Sequence, residues 1–251
     1  MKVSLITISY NSADTISDTI QSVASQSYSD IEYIVVDGAS KDATLKIISD
    51  HSAYIHKHIS EADKGIYDGM NKGLQLASGD IIGILNSDDV YADKEVIQDI
   101  VALFEKDYCD AVYADLVYVD RHDLNKTIRY WKAKAYHEGD FKKGWMPPHP
   151  TFFVRRKIYE QYGYFNLDLK SAADYEIMLR FIHKHKIKIS YLPRVIVKMR
   201  AGGQSNVTLK NRIKANREDK KAWLINGLKP GPFTLIRKPL SKLFQFIKKG
   251  R

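Results

Sequence analysis

Residues 78–91 read Ser-Gly-Asp-Ile-Ile-Gly-Ile-Leu-Asn-Ser-Asp-Asp-Val-Tyr, and this stretch decides the fold. Ile81–Leu85 shows no polar–apolar alternation, so both faces of the strand it predicts need covering, as in a parallel sheet between helical layers. The strand then ends abruptly on Asn86-Ser87-Asp88-Asp89. Moving toward the N-terminus, a helical pattern over 66–77 places Ile66, Met70, Leu74 and Ala77 on one face. Short apolar runs at 54–59, 31–36 and 3–8 predict three more strands, separated by helices over 42–50 and 13–26. Toward the C-terminus a helix is predicted over 94–105. Strand–helix alternation of this kind implies an α/β fold with a doubly wound, mainly parallel, Rossmann-like sheet. Beyond residue 111 the pattern loosens, with strand-like runs at 112–119 and 151–154 and one clear helix at 172–183.

In such sheets ligands sit beyond the carboxyl ends of the strands, where the strand order reverses. Polar residues collect at those ends: Ser9-Tyr10-Asn11, Asp37-Gly38, Asp63-Lys64-Gly65 and Asp88-Asp89. Each set alone is also what a βα turn requires; four on one edge favour a site. The adjacent Asp88 and Asp89 repel unless a cation or solvent separates them. Two readings stand for this pair, a hard divalent ion held through oxygen or a solvated pair capping the next helix. The phosphate-loop pattern GxxxxGK[ST], the dinucleotide pattern GxGxxG and the GxSxG nucleophile elbow are all absent.

Composition narrows the class further. The 251 residues are 44% hydrophobic and 27% charged, as in an ordinary globular protein. One cysteine, Cys109, excludes a disulfide framework and fits a reducing compartment. The opening MKVSLITISY enters regular structure directly, so no secretory leader is expected. No run approaches the ~20 apolar residues of a membrane span. The net charge of +9 is unevenly placed. Residues 1–206 carry 26 Lys/Arg against 28 Asp/Glu, whereas 207–251 carry 13 basic residues against Glu218 and Asp219. A body over 1–206 and a basic helical tail over 207–251 follow, with 1–110 and 111–206 as the halves of the body. Within the tail, Ile236, Leu240, Leu243, Phe244 and Ile247 form one helical stripe flanked by cations, starting near Pro239. That is the profile of an interfacial helix on an anionic membrane, or of a helix docked on the protein's own body.

Four segments, VSLITISYN (3–11), VVDGASKD (35–42), DKGIYDGMNKG (63–73) and SGDIIGILNSDDVY (78–91), resemble family 2 glycosyltransferases of the GT-A fold. The GIYDGMNKG segment is similar to enzymes of capsular, exopolysaccharide and colanic-acid-type synthesis. The resemblance spans roughly residues 1–206. It implies that 1–110 bind a nucleotide-sugar donor and 111–206 the acceptor. By this resemblance Ser9, Tyr10, Asn11 and Asp37 match positions holding the base and ribose, and Asp63 and Lys64 a charged loop beside them. Asp89 matches the ligand of Mg2+ or Mn2+, and Asp88 a ribose or sugar contact; the sequence has Ser-Asp-Asp where the stricter pattern is Asp-X-Asp. Asp174 matches the general base, with Glu176 the second candidate there or else an acceptor contact. As a bare sequence feature, both are first-turn acids that suit a helix dipole.

His149 matches an acceptor-side position, or is a structural histidine. Arg200, in Arg-Ala-Gly-Gly-Gln-Ser, resembles part of a closing loop able to reach the diphosphate, or lies in a plain surface loop. The implied enzyme inverts the anomeric centre by direct displacement. It moves sugar to a saccharide acceptor, plausibly lipid-linked, at the cytoplasmic face of the cell membrane. A sugar-phosphate nucleotidyltransferase and a nucleic-acid-binding protein using the basic tail are the competing readings. Neither the Gly-rich cationic loop of the first nor a recognition motif of the second is present.

Overall fold

Residues 1–202, 209–231 and 234 are described by the structure, a computed structural model. Strands β1 (Val3–Ser9), β2 (Ile31–Asp37), β3 (Lys57–Ser60) and β4 (Ile81–Ile84) alternate with helices α1 (Ile16–Ala24), α2 (Thr44–Asp50) and α3 (Ile66–Leu76). β5 (Asp89–Tyr91), α4 (Val96–Asp107), β6 (Ala111–Val119) and β7 (Thr127–Trp131) follow. After them come β8 (Phe153–Arg155), α5 (Arg156–Tyr162), α6 (Ala173–Met178), β9 (Ile189–Arg200) and α7 (Leu209–Ile225). The strand expected at 54–59 begins later, because residues 52–54 form a 3-10 turn first. The helix expected over 172–183 is α-helical only to Met178 and widens into a π-helical segment over Leu179–Lys184.

Among the described residues these strands form one sheet in the order β3-β2-β1-β4-β8-β6-β9-β5, with β7 on β6. Pairing is parallel from β3 to β4, as the sequence predicts, and mixed beyond. β1 is buried along its whole length. Its alternate residues serve two cores: Val3 and Leu5 pack with α1 and α4, and Ile6 and Ile8 with α3. α3 lies unusually close to β1. A Cβ on Gly73 would stand 2.3 Å from Ile6 Cγ2, and one on Gly69 2.9 Å from Ile8 Cγ2. This seats the start of α3 against the ends of β1 and β2.

β4 and β5 stand four places apart in the sheet, about 19 Å if it were flat. Yet only residues 85–88 join them, a reach of about 17 Å fully extended. The sheet therefore curls, and Asp88-Asp89 spans the mouth of the curl, beside both halves of the chain.

The boundary expected at residue 206 does not separate a body from a free tail. On α7, Ala222 and Trp223 are fully buried and Asp219 nearly so, as is Asn226 just past its end. The apolar stripe expected over 236–247 and the loop residues 203–205 lie outside the described residues.

Candidate active site

At the carboxyl ends of β1 and β2 the chain makes two interlocked loops. Asn11 and Ala39 both adopt left-handed backbone, with φ of 48° and 61°. The Asn11 amide N–H donates to Ser40 Oγ (2.8 Å), and its side-chain oxygen accepts from the Lys41 N–H (2.9 Å). Asp37, fully buried, binds both loops. Its two oxygens accept from Ser9 Oγ (3.0 Å), Ser40 N (2.8 Å), Ser40 Oγ and Ser60 Oγ (2.8 Å). A carboxylate has about four lone-pair sites, and all are taken within the protein. Tyr10, by contrast, is 56% exposed. Asp63 leans over Gly38, its Oδ2 2.6 Å from where a Cβ on that glycine would stand, with the Tyr10 ring at 3.4 Å. Ser9, Tyr10, Asn11, Asp37 and Asp63 are thus gathered at one point. Lys64 stands on the exposed rim, its backbone N–H donating to Asp68 Oδ2.

Across the reversal of strand order, Ser12 Oγ and Ser87 Oγ share a 2.8 Å hydrogen bond, joining the β1 loop to the acidic loop. Asp89 opens β5 and is fully buried. Its Oδ2 accepts from Asn86 Nδ2 at 3.2 Å, but its Oδ1 has no partner among the described residues. Burial, and then the neighbouring Asp88 charge, push the Asp89 carboxyl well above its usual range. Burial also raises Asp88, against the pull of Arg200 and Arg121. No group of three or more His, Cys, Asp or Glu side chains forms a metal cluster among the described residues.

The second half of the site surrounds Asp174. Tyr67 donates its hydroxyl to Asp174 Oδ1 (3.1 Å) and stacks on Phe165 (5.7 Å), and His149 meets Phe165 edge-on at 5.6 Å. Burial lowers the His149 pKa, against a smaller opposing pull from Asp174, which favours a neutral ring at pH 7. A small cleft opens beside Tyr67, with Lys64, Asp68 and Lys170 in its lining.

Tyr118, on β6, feels the charge of both acids. Its phenol is held up first by burial, opposed by Arg129, and then by the charges of Asp89 and Asp174. Arg129 stacks over its ring at 4.1 Å. Neither Tyr67 nor Tyr118 was singled out by sequence; buried tyrosines are common, and nothing in their spacing marks these two.

Two expected residues are placed differently. Arg200 is almost fully buried and donates to the carbonyls of Asp88 (2.8 Å) and Arg121 (3.1 Å), and it pairs with Asp18. It braces the acidic loop from behind, and its guanidinium has no open face toward a diphosphate. Glu176, also buried, pairs with Arg180 (3.1 Å) and accepts from Asn226 Nδ2 (2.8 Å). Those bonds turn it toward α7, so it is no acceptor contact and no alternative base. Helix residues 174 and 176 are about 200° apart around the axis, which turns one carboxylate to Tyr67 and the other to Arg180 and Asn226.

The model for "Glycosyl transferase family 2" matches residues 4–163. The chain belongs to that family. Among its relatives, an uncharacterized glycosyltransferase of Mycobacterium tuberculosis is 34% identical over 186 residues, 71% of this chain and 68% of the relative. A "PGL/p-HBAD biosynthesis glycosyltransferase" of Mycobacterium bovis is 27% identical over 208 residues, covering 81% and 78%. The fold also matches Staphylococcus aureus TarS 1-349 in complex with UDP-GlcNAc, with TM-score 0.69 at 19% identity over 90% of this chain and 65% of that one. A Pyrobaculum calidifontis mannosyltransferase in complex with GDP-Man and Mn2+ gives 0.68 at 19%, over 98% and 72%. This family 2 glycosyltransferase therefore has the GT-A architecture, and the nucleotidyltransferase and nucleic-acid readings give way. No helix among its described residues is long and apolar enough to cross a membrane.

Proposed function

We propose that this glycosyltransferase moves a sugar, with inversion, from a nucleoside-diphosphate donor to a hydroxyl of a saccharide acceptor. The observation that carries the reading is the unpartnered, buried Asp89 Oδ1. A buried carboxylate oxygen without a donor is costly unless a cation completes it. The Asp89 carboxylate, with Asp88 beside it, fits one Mg2+ or Mn2+ whose remaining positions go to phosphate oxygens and water. When bound there, such an ion supplies positive charge to the departing diphosphate.

The chain's own groups do the rest. Tyr10 offers an exposed ring to the base, and Asn11, Asp63 and Lys64 surround the ribose and phosphates, while buried Ser9 ties the first loop to Asp37. Asp37 acts by shaping the loops, since its oxygens are already filled. Asp88 contacts the ribose or sugar. His149, neutral, accepts or donates a hydrogen bond to the acceptor. Asp174, oriented by Tyr67, takes the proton of the attacking hydroxyl as the new C1–O bond forms. The bond from C1 to the diphosphate oxygen breaks on the opposite face, which inverts the centre.

The acceptor we assign is lipid-linked and the role cell-surface glycan synthesis, in keeping with mycobacterial relatives named for PGL/p-HBAD biosynthesis. The apolar, cationic stripe over 236–247 suits attachment to the cytoplasmic face of an anionic membrane. The decisive experiment screens nucleotide-sugars with Mn2+ and an extracted lipid-linked acceptor, using the wild type and Asp174→Asn. Turnover should fall about 10²–10⁴-fold in the variant with donor affinity retained, and NMR of the product should show the opposite anomeric configuration. Unchanged turnover would remove Asp174 as the base.

A further inference from the structure

The segment that carries Asp174 is poorly equipped to hold itself. α6 has six residues, and its N-cap, Ala172, offers no side-chain bond to the first turn. So short a helix has little stability of its own, and outside contacts set its direction. It also passes straight into a π-helical segment, so the following turns lack regular α-helical bonding.

Those contacts come from α7 and the residue just past it, beyond the matched family region at 4–163. They bracket Asp174 on both sides. Glu218 Oε2 accepts from the Ser171 N–H (2.7 Å) and from Ser171 Oγ (2.9 Å). Lys221 donates to the Asp168 carbonyl (3.1 Å). Past Asp174, Trp223 Nε1 donates to Tyr175 Oη (2.9 Å), and Asn226 Nδ2 donates to Glu176 Oε1 (2.8 Å). Trp223, fully buried, also meets His183 at 5.2 Å, where the π-helical segment runs. Residues on either side of the acid are therefore fastened to one helix. The Glu218 charge even reaches the Tyr67 phenol, which is the hydrogen-bond donor to Asp174.

We infer that α7 is a positioning clamp for the catalytic loop, with Glu218 at Ser171 as its functional contact. Composition hides this role, because the helix reads as part of a basic tail. Its polar clamp residues, Glu218, Lys221 and Asn226, hold the backbone and side chains around Asp174 without touching substrate. A displacement of even 1 Å at a reacting group lowers rates steeply. The inference rests on Asp174 being the base.

The experiment measures kcat, donor KM and Tm for full-length Glu218→Ala, Glu218→Gln, Lys221→Met and Asp174→Asn. Glu218 makes its bonds at an exposed position, so its removal should move Tm by under about 3 °C. Glu218→Ala should lower kcat about tenfold with donor KM within about twofold. Glu218→Gln keeps a side-chain oxygen for Ser171 and should restore kcat to within about twofold of wild type. Lys221→Met, losing the Asp168 contact alone, should lower kcat about threefold. Wild-type kcat in Glu218→Ala, while Asp174→Asn is inactive, would overturn the clamp and leave the base in place. Full activity in Asp174→Asn would instead overturn the base itself. A kcat loss in Glu218→Ala that Gln fails to restore would also sink the clamp.

Discussion

At opposite ends of the parallel strands sit two buried acids with opposite surroundings. Glu32, at the amino end of β2, is 3% exposed and surrounded by donors. It accepts from Ser4 Oγ (2.6 Å), Ser78 N and Oγ (both 2.8 Å), Lys57 (2.8 Å) and Lys2 (3.2 Å). Against the upward push of burial, hydrogen bonds from Lys57, Ser4 and Ser78 hold its carboxyl far below the usual range. Asp89, at the carboxyl edge, has the Asn86 amide, the Arg200 backbone N–H nearby, a like-charged neighbour and an oxygen with no hydrogen-bond partner among the described residues. Full satisfaction marks a group that fastens β1, β2 and the α3–β4 turn together; an unfilled valence marks a group waiting for a ligand.

The largest effect should come from breaking the unsatisfied end. Asp89→Asn should lower turnover by at least about 10³-fold in a steady-state assay, because it loses the charge that faces the diphosphate. Glu32→Ala should do the reverse. It should cost about 3 kcal/mol in urea unfolding, leaving two lysines and Ser78 without their acceptor, yet keep kcat per folded molecule. Mn2+ with a nucleoside diphosphate, at 100 times Kd, should stabilise the wild type by about 2.7 kcal/mol and Asp89→Asn scarcely at all. Glu32→Gln should behave like wild type in that binding assay.

The smallest difference is one of pH. Glu32 is depressed in the folded state, so its contribution is present above its ordinary value of 4.5 and is lost as pH falls. Asp89 is raised, so its neutral form favours folding at low pH, and that contribution is lost as pH climbs from 3.8 through its elevated value. In metal-free buffer, Asp89→Asn should therefore be about 1 kcal/mol more stable than wild type at pH 8, converging by about pH 4. A constant gap across that range would refute the assignment of the burial penalty to Asp89.

Much of the first half was legible because its chemistry is periodic. β1, β2, α3, β4 and α4 stand within a few residues of their expected positions, since two-sided burial leaves apolar runs and one-sided burial leaves 3.6-residue stripes. β9 was invisible for the opposite reason. Its Ile-Ser-Tyr-Leu-Pro-Arg-Val-Ile-Val-Lys-Met-Arg mixes charges with a mid-strand proline, and the register against β6 slips around Asp115 to admit Pro193 and Arg194. In the candidate site, polarity at strand ends pointed to Tyr10, Asp37, Asp63 and Asp89, and the resemblance to Arg200 and Glu176. Neither signal could tell an open side chain from one already bonded within the protein, as Asp37, Arg200 and Glu176 are. The docking of α7 was masked by its cations, because four buried positions among many exposed charges leave no visible stripe.

The pairing of β5 with β9 has a consequence for biosynthesis. Asp89 aligns with Met199, about 110 residues later in the chain. Emerging from the ribosome, β1 to β4 can assemble early, but the acidic loop has no strand to lie against until β9 is translated. Contacts of such long range form late and slowly. A nascent chain thus carries the assembled β1–β4 scaffold well before its acidic loop is braced, and the pairing that fixes Asp89 waits for β9.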